Sequence, residues 1–318
     1  MAVAFIFPGQ GSQSIGMGRE LAEAYPTARA VFEEVDDALG EPLSRLMWEG
    51  AADDLTRTAN AQPALMAVSL AAVRALEAEG VAVSDHADFV AGHSLGEYSA
   101  LAAAGTFDVG EAARLLRTRG DAMQRAVPEG QGAMAAIIGL EEPEVAELCA
   151  EVSREGGACQ IANDNGGGQI VISGAKDAID LATVFATERG ARRALALPVS
   201  APFHSELMAP AAETMRNALA GAAMRDPSVL LIANVTAEPV GEAATIRDLL
   251  VQQVTGRVRW RESVAAMAER GVDLAVEIGA GKVLSGLVKR IDRSIETITC
   301  GTPDEVRAVA ERLRGGAA

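Results

Sequence analysis

The chain has 318 residues, 28 of them basic and 44 acidic, which gives a formal charge of −16. That length excludes a small stapled miniprotein and predicts one large domain or a domain carrying an inserted one. With 49% hydrophobic, 23% charged and only 3% aromatic residues, the composition is that of a folded globular protein; the acidic balance argues against nucleic acid and anionic membranes as partners.

The opening run Ala2 to Phe7 is short, apolar and stopped by Pro8-Gly9, which predicts a buried strand. It has no basic start and is followed by polar residues, so it does not read as a signal peptide. Helical patterns follow, most clearly from Pro63 to Glu79, where Leu65, Val68, Ala72 and Leu76 recur at spacings of three and four. The apolar stretch between Arg57 and Arg74 contains Asn60, Gln62 and Pro63, which does not read as a membrane span. Asp88 to Ala91 returns to strand character, and such alternation predicts a parallel sheet covered on both faces.

After the Pro128 to Gly132 turn the rhythm changes. Strand Ala133–Leu140, helix Pro143–Arg154, strands Cys159–Ala162 and Gln169–Ser173, helix Lys176–Glu188 and strand Arg193–Val199 follow in order. This βαββαβ succession is the ferredoxin-like pattern, predicted as a small domain inserted into the large one. The expected division is 1–127 with 200–318 as the large domain and 128–199 as the insertion. The large domain resumes with a helix after Pro210, a strand Val229–Ala233, helices after Thr245 and around Val264–Arg270, and a strand Asp273–Ile278. A last helix–strand–helix unit follows Gly279–Gly281. Cys149, Cys159 and Cys300 are odd in number and form no CxxC pair, which fits reduced thiols in a cytoplasm and leaves no metal cage in view.

The sharpest local signal is Gly92-His93-Ser94-Leu95-Gly96, a G-x-S-x-G between a predicted strand and a helix. Such a turn needs its glycines because side chains would clash across it, and it lifts the serine Oγ into the open. The N–H of Leu95 and the start of the following helix would face the space where an oxyanion develops. A serine nucleophile needs a base, and the chain has 3 histidines. His93 should point away from Oγ, and His86 starts the strand leading to the turn, roughly 20 Å off at about 3.3 Å per residue. His204 remains, following Pro198-Val199-Ser200-Ala201-Pro202-Phe203 where the chain returns from the insertion. No acidic residue has a distinctive setting between Ser94 and His204, so a dyad is expected, with a backbone carbonyl orienting the base.

Arg119 falls on the apolar stripe of the helix Glu111–Ala126 with Ala112, Leu115, Met123 and Ala126, whereas Arg114 and Arg125 lie on the opposite face. A buried guanidinium needs a carboxylate, from the protein or from a ligand. Two glycine-rich turns imitate nucleotide motifs and fail their spacing. In Pro8-Gly9-Gln10-Gly11-Ser12-Gln13 the third position is Ser14, and around Gly279-Ala280-Gly281-Lys282 Val276 and Val283 stand where Gly and Ser or Thr belong. Both read better as turns at strand ends, with the Gln10 N–H as a second oxyanion donor.

Together, Phe7 to Gln13, Gly92 to Glu97, Arg119 to Gln124, Gly132 to Ala136, Asn163 to Asn165 with Gly168 to Gly174, and Pro198 to His204 resemble the malonyl-CoA:acyl-carrier-protein transacylase family of fatty-acid and polyketide synthesis. The motifs match in the same order over nearly the whole chain. The resemblance implies an α/β-hydrolase-like large domain with a ferredoxin-like insertion. It also implies an acylated Ser94, His204 as its base, Arg119 on the malonyl carboxylate, and N–H groups of Gln10 and Leu95 on the oxyanion. By the same resemblance Gln253 orients His204 through its main-chain carbonyl, Asn165 and Gln169 lie near the cleft as substrate-binding residues, and Phe203 fits malonyl better than a branched acid. Gly166-Gly167 and Gly256-Arg257 depart from residue pairs common in the family. The implied function is ping-pong malonyl transfer to acyl carrier protein by a cytoplasmic monomer with no cofactor or metal. A serine hydrolase or thioesterase on the same turn, and a non-catalytic acyl-carrier or nucleotide-binding module, are the alternatives. An acidic carrier needs a local basic patch, for which Arg189, Arg192 and Arg193, or Lys282, Lys289 and Arg290, are available.

Overall fold

A computed structural model describes residues 2–199 and 201–315. The first strand shows why its sequence is apolar throughout. In β1 (Ala2–Phe7), Val3, Phe5 and Phe7 enter one buried cluster and Ala4 and Ile6 another, because successive side chains leave opposite faces of the sheet. β1 pairs with β2 (Phe89–Gly92) on one side and β9 (Val272–Ile278) on the other, both parallel. The sheet extends through β10 (Glu296–Cys300) beside β9, and through β7 (Leu230–Ile232) and then β8 (Pro239–Val240) beyond β2, giving the order β10-β9-β1-β2-β7-β8. The edge strand β8 runs antiparallel to β7. The sheet is thus mostly parallel where the alternation predicted a parallel one; a two-residue strand after a short turn can only return antiparallel.

Helices cover both faces. The helices Thr58–Ala78 and Val109–Ala126 bury the larger cluster, and Trp260–Glu269 with Val283–Ile291 bury the other. The helix expected from Pro63 begins a turn earlier, with Pro63 near its start, where the ring removes a single backbone hydrogen bond. Four helices, Arg19–Ala24, Pro26–Leu39, Leu43–Glu49 and Ala52–Thr56, fill a stretch for which no element bounds were predicted. His86 ends a short helix, Val83–His86, rather than beginning the strand.

The second sheet is antiparallel, with β3 (Gly132–Ile138), β4 (Cys159–Asp164), β5 (Gln169–Ala175) and β6 (Arg193–Ala196) in the order β4-β5-β3-β6. Helices Glu142–Arg154 and Lys176–Glu188 complete the expected strand–helix–strand–strand–helix–strand succession. One face, with Ala135, Ile137, Ile170 and Ile172, packs on those two helices, while Met134, Ala136 and Val171 on the other join the main core. Among the described residues, no helix is long and apolar enough to cross a membrane. Ser200, in the segment leading to His204, and residues 1 and 316–318 of the expected large domain lie outside the described residues.

Candidate active site

The carboxyl ends of β1, β2 and β7 converge on Ser94, which stands between β2 and the helix Gly96–Ala103 with φ of 54°. That left-handed conformation is costly for a residue with a side chain and is imposed by close packing. A Cβ on Gly92 would lie 2.0 Å from the Gly96 backbone, and one on Gly96 would lie 2.2 Å from the Phe7 carbonyl oxygen. Only glycines allow strand, turn and helix to approach this closely. Asn234, just beyond β7, fastens the turn: its Oδ1 accepts the Ser94 N–H at 2.8 Å and its Nδ2 donates to the Gly92 carbonyl at 2.7 Å.

His204 Nε2 lies 2.7 Å from Ser94 Oγ. His204 Nδ1 faces two carbonyl oxygens, Gln253 at 2.9 Å and Gly256 at 3.1 Å. Both are acceptors, so the proton belongs on Nδ1 and Nε2 carries the lone pair that accepts the serine hydroxyl. Burial, and then the nearby Arg119 charge, push the His204 pKa down to about 3, which keeps the ring neutral at ordinary pH. His204 also has a left-handed φ, 57°. Gln160 on β4 braces that backbone by donating to the carbonyls of His204 and Thr255 and accepting the Glu206 N–H at 2.9 Å. The Val258 N–H donates to Ala162 and its carbonyl accepts from Asp164, tying the loop after Gln253 to the same strand.

Arg119 is 1% exposed, on the inward stripe as its spacing predicted. It forms no ion pair among the described residues. Its Nη1 donates to Gln62 Oε1 at 2.8 Å; its Nη2 donates to Gln253 Oε1 at 2.8 Å and to Ser94 Oγ at 3.1 Å. The Tyr98 ring lies 5.7 Å from the guanidinium carbon, and among the described residues the buried Arg119 Nε has no hydrogen-bond partner. A full charge held by neutral amides beside an open cavity is an electrostatic vacancy for an anion. Glu97 lies behind Gln253, with its pKa pushed up to about 7 by burial against the pull of its hydrogen bonds and of Arg119.

A cavity of about 270 Å³ opens over these groups. Gln10, His93, Ser94, Leu95, Arg119 and His204 form one side, and Met134, Asn163, Leu197, Val199 and Phe203 the other. Among the described residues, the N–H groups of Gln10 and Leu95 take no part in the backbone hydrogen bonds of their turns, and both residues reach the cavity beside Ser94. The imitation loop at Gly9 to Gln13 is thus a turn at the end of β1 that contributes to the cavity wall, and Gly279–Lys282 is a turn at the end of β9. Such an arrangement can deprotonate Ser94 Oγ, stabilise an oxyanion next to it and hold a carboxylate within a few ångströms.

Ser94, His204, Arg119, Gln253, Gln10 and Leu95 are therefore brought together. Asn165 and Gln169 are not. Asn165 is buried behind His93, whose Nε2 lies 2.9 Å from its Oδ1, and Asn163 takes the cavity wall instead. Gln169 accepts from Arg290 at 3.2 Å on the outside of the small sheet. Sequence reasoning gave no role to Gln62, Glu97, Gln160 or Asn234. Glu97 carried a signal, since a carboxylate directly after an apolar turn into a buried helix needs a donor; the other three are amides without periodic marking.

Residues 4–310 match the family model described as the acyl transferase domain. The chain is 46% identical over 312 residues to the malonyl CoA-acyl carrier protein transacylase of Bacillus subtilis (strain 168), covering 98% of this chain and 97% of that protein. It is 44% identical to the protein of the same name from Escherichia coli (strain K12), covering 98% of each. Among solved structures, the acyl-carrier-protein S-malonyltransferase of Bartonella henselae superposes with a TM-score of 0.97 at 58% identity, covering 99% of this chain and 100% of that one. A malonyl-transacylase solved in complex with a type II polyketide-synthase acyl-carrier protein superposes with a TM-score of 0.94 at 40% identity, covering 98% and 100%. With these likenesses along nearly its full length, the chain belongs to the acyl transferase domain family.

Proposed function

We propose that this protein transfers the malonyl group from malonyl-CoA to the phosphopantetheine thiol of an acyl carrier protein, through a malonyl-serine intermediate, in fatty-acid synthesis. The observation that carries the reading is Arg119, a buried cation without an ion-pair partner among the described residues, with Nη2 3.1 Å from Ser94 Oγ. A hydrolase for neutral acyl groups has no use for such a charge; an acyl group ending in a carboxylate does. The cavity volume of about 270 Å³ suits a short acyl group and leaves the coenzyme outside.

In this mechanism His204 Nε2 accepts the proton as Ser94 Oγ bonds to the thioester carbonyl carbon. The resulting oxyanion is held by the N–H groups of Leu95 and Gln10, aided by the positive end of the helix Gly96–Ala103. The carbon–sulfur bond breaks as the intermediate collapses, and the departing CoA sulfur takes the proton from His204 Nε2. The carrier thiol then gives its proton to His204 and attacks the malonyl-serine ester, and Ser94 leaves with that proton restored. The carbonyls of Gln253 and Gly256 stabilise the imidazolium at Nδ1 in both halves, in place of an acidic residue. Asn165 acts through His93, and Gln169 lies too far out for a contact with the acyl group.

The same reading treats 128–199 as an inserted domain that closes the cavity, in a cytoplasmic monomer that needs no cofactor or metal. A carrier would approach the open rim. Arg189 is neutralised by Glu151 and Arg290 is engaged by Gln169, whereas Arg192, Arg193, Lys282 and Lys289 are exposed and better suited to an acidic partner. The test is to incubate the protein with malonyl-CoA and a carrier bearing its phosphopantetheine arm. The expected result is malonyl-carrier in excess of free malonate; free malonate as the main product would make the protein a thioesterase.

A further inference from the structure

Behind Arg119 lies a buried carboxylate that the transfer chemistry does not use. Glu97, the second residue of the helix after the serine turn, is 1% exposed. Both of its partners are donors: the Asn234 N–H reaches Oε1 at 3.2 Å and Gln253 Nε2 reaches Oε2 at 2.5 Å. The Gln253 amide is thereby left with one orientation. Its NH₂ group faces Glu97 and the Ser94 carbonyl, the latter at 2.9 Å, so its Oε1 faces Arg119 Nη2 at 2.8 Å. The reverse flip would set carbonyl against carboxylate and NH₂ against guanidinium, each a repulsive pairing in a buried site.

We infer that Glu97 is a positioning residue for dicarboxylic acyl groups: by accepting the Gln253 amide it fixes the oxygen that holds Arg119 ready for the substrate carboxylate. This rests on Arg119 reading that carboxylate, as proposed above. Glu97 itself never meets the acyl group, because Gln253 and Arg119 stand between. A glutamine in its place could satisfy only one of the two donors and would present NH₂ to the other. Gln253 would then lose the charged acceptor that anchors its NH₂ group, leaving the Ser94 carbonyl alone to hold it, and the amide oxygen facing the guanidinium would be less rigidly placed.

The experiment measures loading of Ser94 from malonyl-CoA and from acetyl-CoA, by intact-protein mass spectrometry, in the wild type, Glu97→Gln, Gln253→Leu and the double variant. Acetyl loading needs the turn, His204 and the oxyanion donors but no carboxylate, so it reports on fold and chemistry in the same sample. A hydrogen bond to a charged group is at stake once Glu97 is ionised, so at pH 8 Glu97→Gln should lower the malonyl-to-acetyl ratio by about tenfold or more. If Glu97 acts through Gln253, the double variant falls no further than Gln253→Leu alone. A ratio unchanged in Glu97→Gln, equal loss of both substrates, or additive effects in the double variant would overturn the inference. A wild type that fails to take malonyl would instead refute the reading of Arg119 on which it rests.

Discussion

The two sides of the cavity are built on different principles. On the side of the large sheet the groups that face Ser94 are polar and buried, each held from behind: Arg119 by Gln62 and Gln253, Gln253 by Glu97, and His204 by two carbonyls. On the side of the small sheet, Met134, Leu197 and Val199 offer apolar surface that excludes water and shapes the space. The first side fixes charge to within a hydrogen bond; the second tolerates changes of volume. On the function proposed above, the difference teaches where specificity would reside: in a preorganised polar network for the end of the acyl group, and in packing for its width.

This contrast can be broken most severely at the serine turn. Ser94→Ala should abolish the acyl adduct, with loading down about 10³-fold or more, while the thermal melting temperature stays near that of the wild type. A mass shift persisting in that variant would remove Ser94 as the nucleophile. Gly92→Ala puts a Cβ 2.0 Å from the Gly96 backbone, so both malonyl and acetyl loading should be lost together with melting temperature. A well-folded and active Gly92→Ala protein would show that the turn is not as tightly packed as described.

The opposite wall should respond differently. Met134→Ala should leave malonyl loading within a few-fold and raise the use of a branched methylmalonyl group by about tenfold, measured as a ratio of kcat/KM values. If instead Met134→Ala lost malonyl as sharply as an Arg119 variant, the two walls would not be distinct in kind. His204 supplies a pH test. Its pKa is lowered to about 3, chiefly by burial, so the neutral base is present at every pH above that value and is lost only on acidification below it. Single-turnover acetyl loading should therefore be flat through pH 5 to 8 as far as this group is concerned; a fall centred near the ordinary histidine value of about 6.5 would mean that His204 is solvated. The smallest effect belongs to the rim, where Lys289→Glu should raise the apparent KM for the carrier modestly and leave loading from malonyl-CoA unchanged.

Much of this was legible in the chain. The strand–glycine–serine–glycine–helix spacing located Ser94, and the scarcity of histidine singled out His204. Helical phase put Arg119 inside, and the order of elements through the small sheet emerged because each has one clean apolar face. What stayed hidden was of two kinds. Arg19–Ala24, Leu43–Glu49 and Ala52–Thr56 are helices of 6, 7 and 5 residues, too short to show a period, whereas Pro26–Leu39 carries a clear stripe in Ala28, Val31, Phe32 and Val35 that marks it as a helix. Gln62, Glu97, Gln160 and Asn234 act through contacts remote in sequence, such as Gln160 to His204, 44 residues away, and Glu97 to Gln253, 156 residues away, and no local pattern marks the three buried amides. Asn165 and Gln169 failed in the opposite way: resemblance set them near the cleft, and the turn between β4 and β5 points one behind His93 and the other outward.

The central claim is that Arg119 reads a carboxylate. It is tested most directly by the kcat/KM ratio of malonyl-CoA to acetyl-CoA in Arg119→Ala against the wild type. Losing a buried charge partner predicts a ratio lowered by about 30-fold or more, with acetyl transfer largely kept; an equal loss for both substrates would reduce Arg119 to a structural residue and contradict the account.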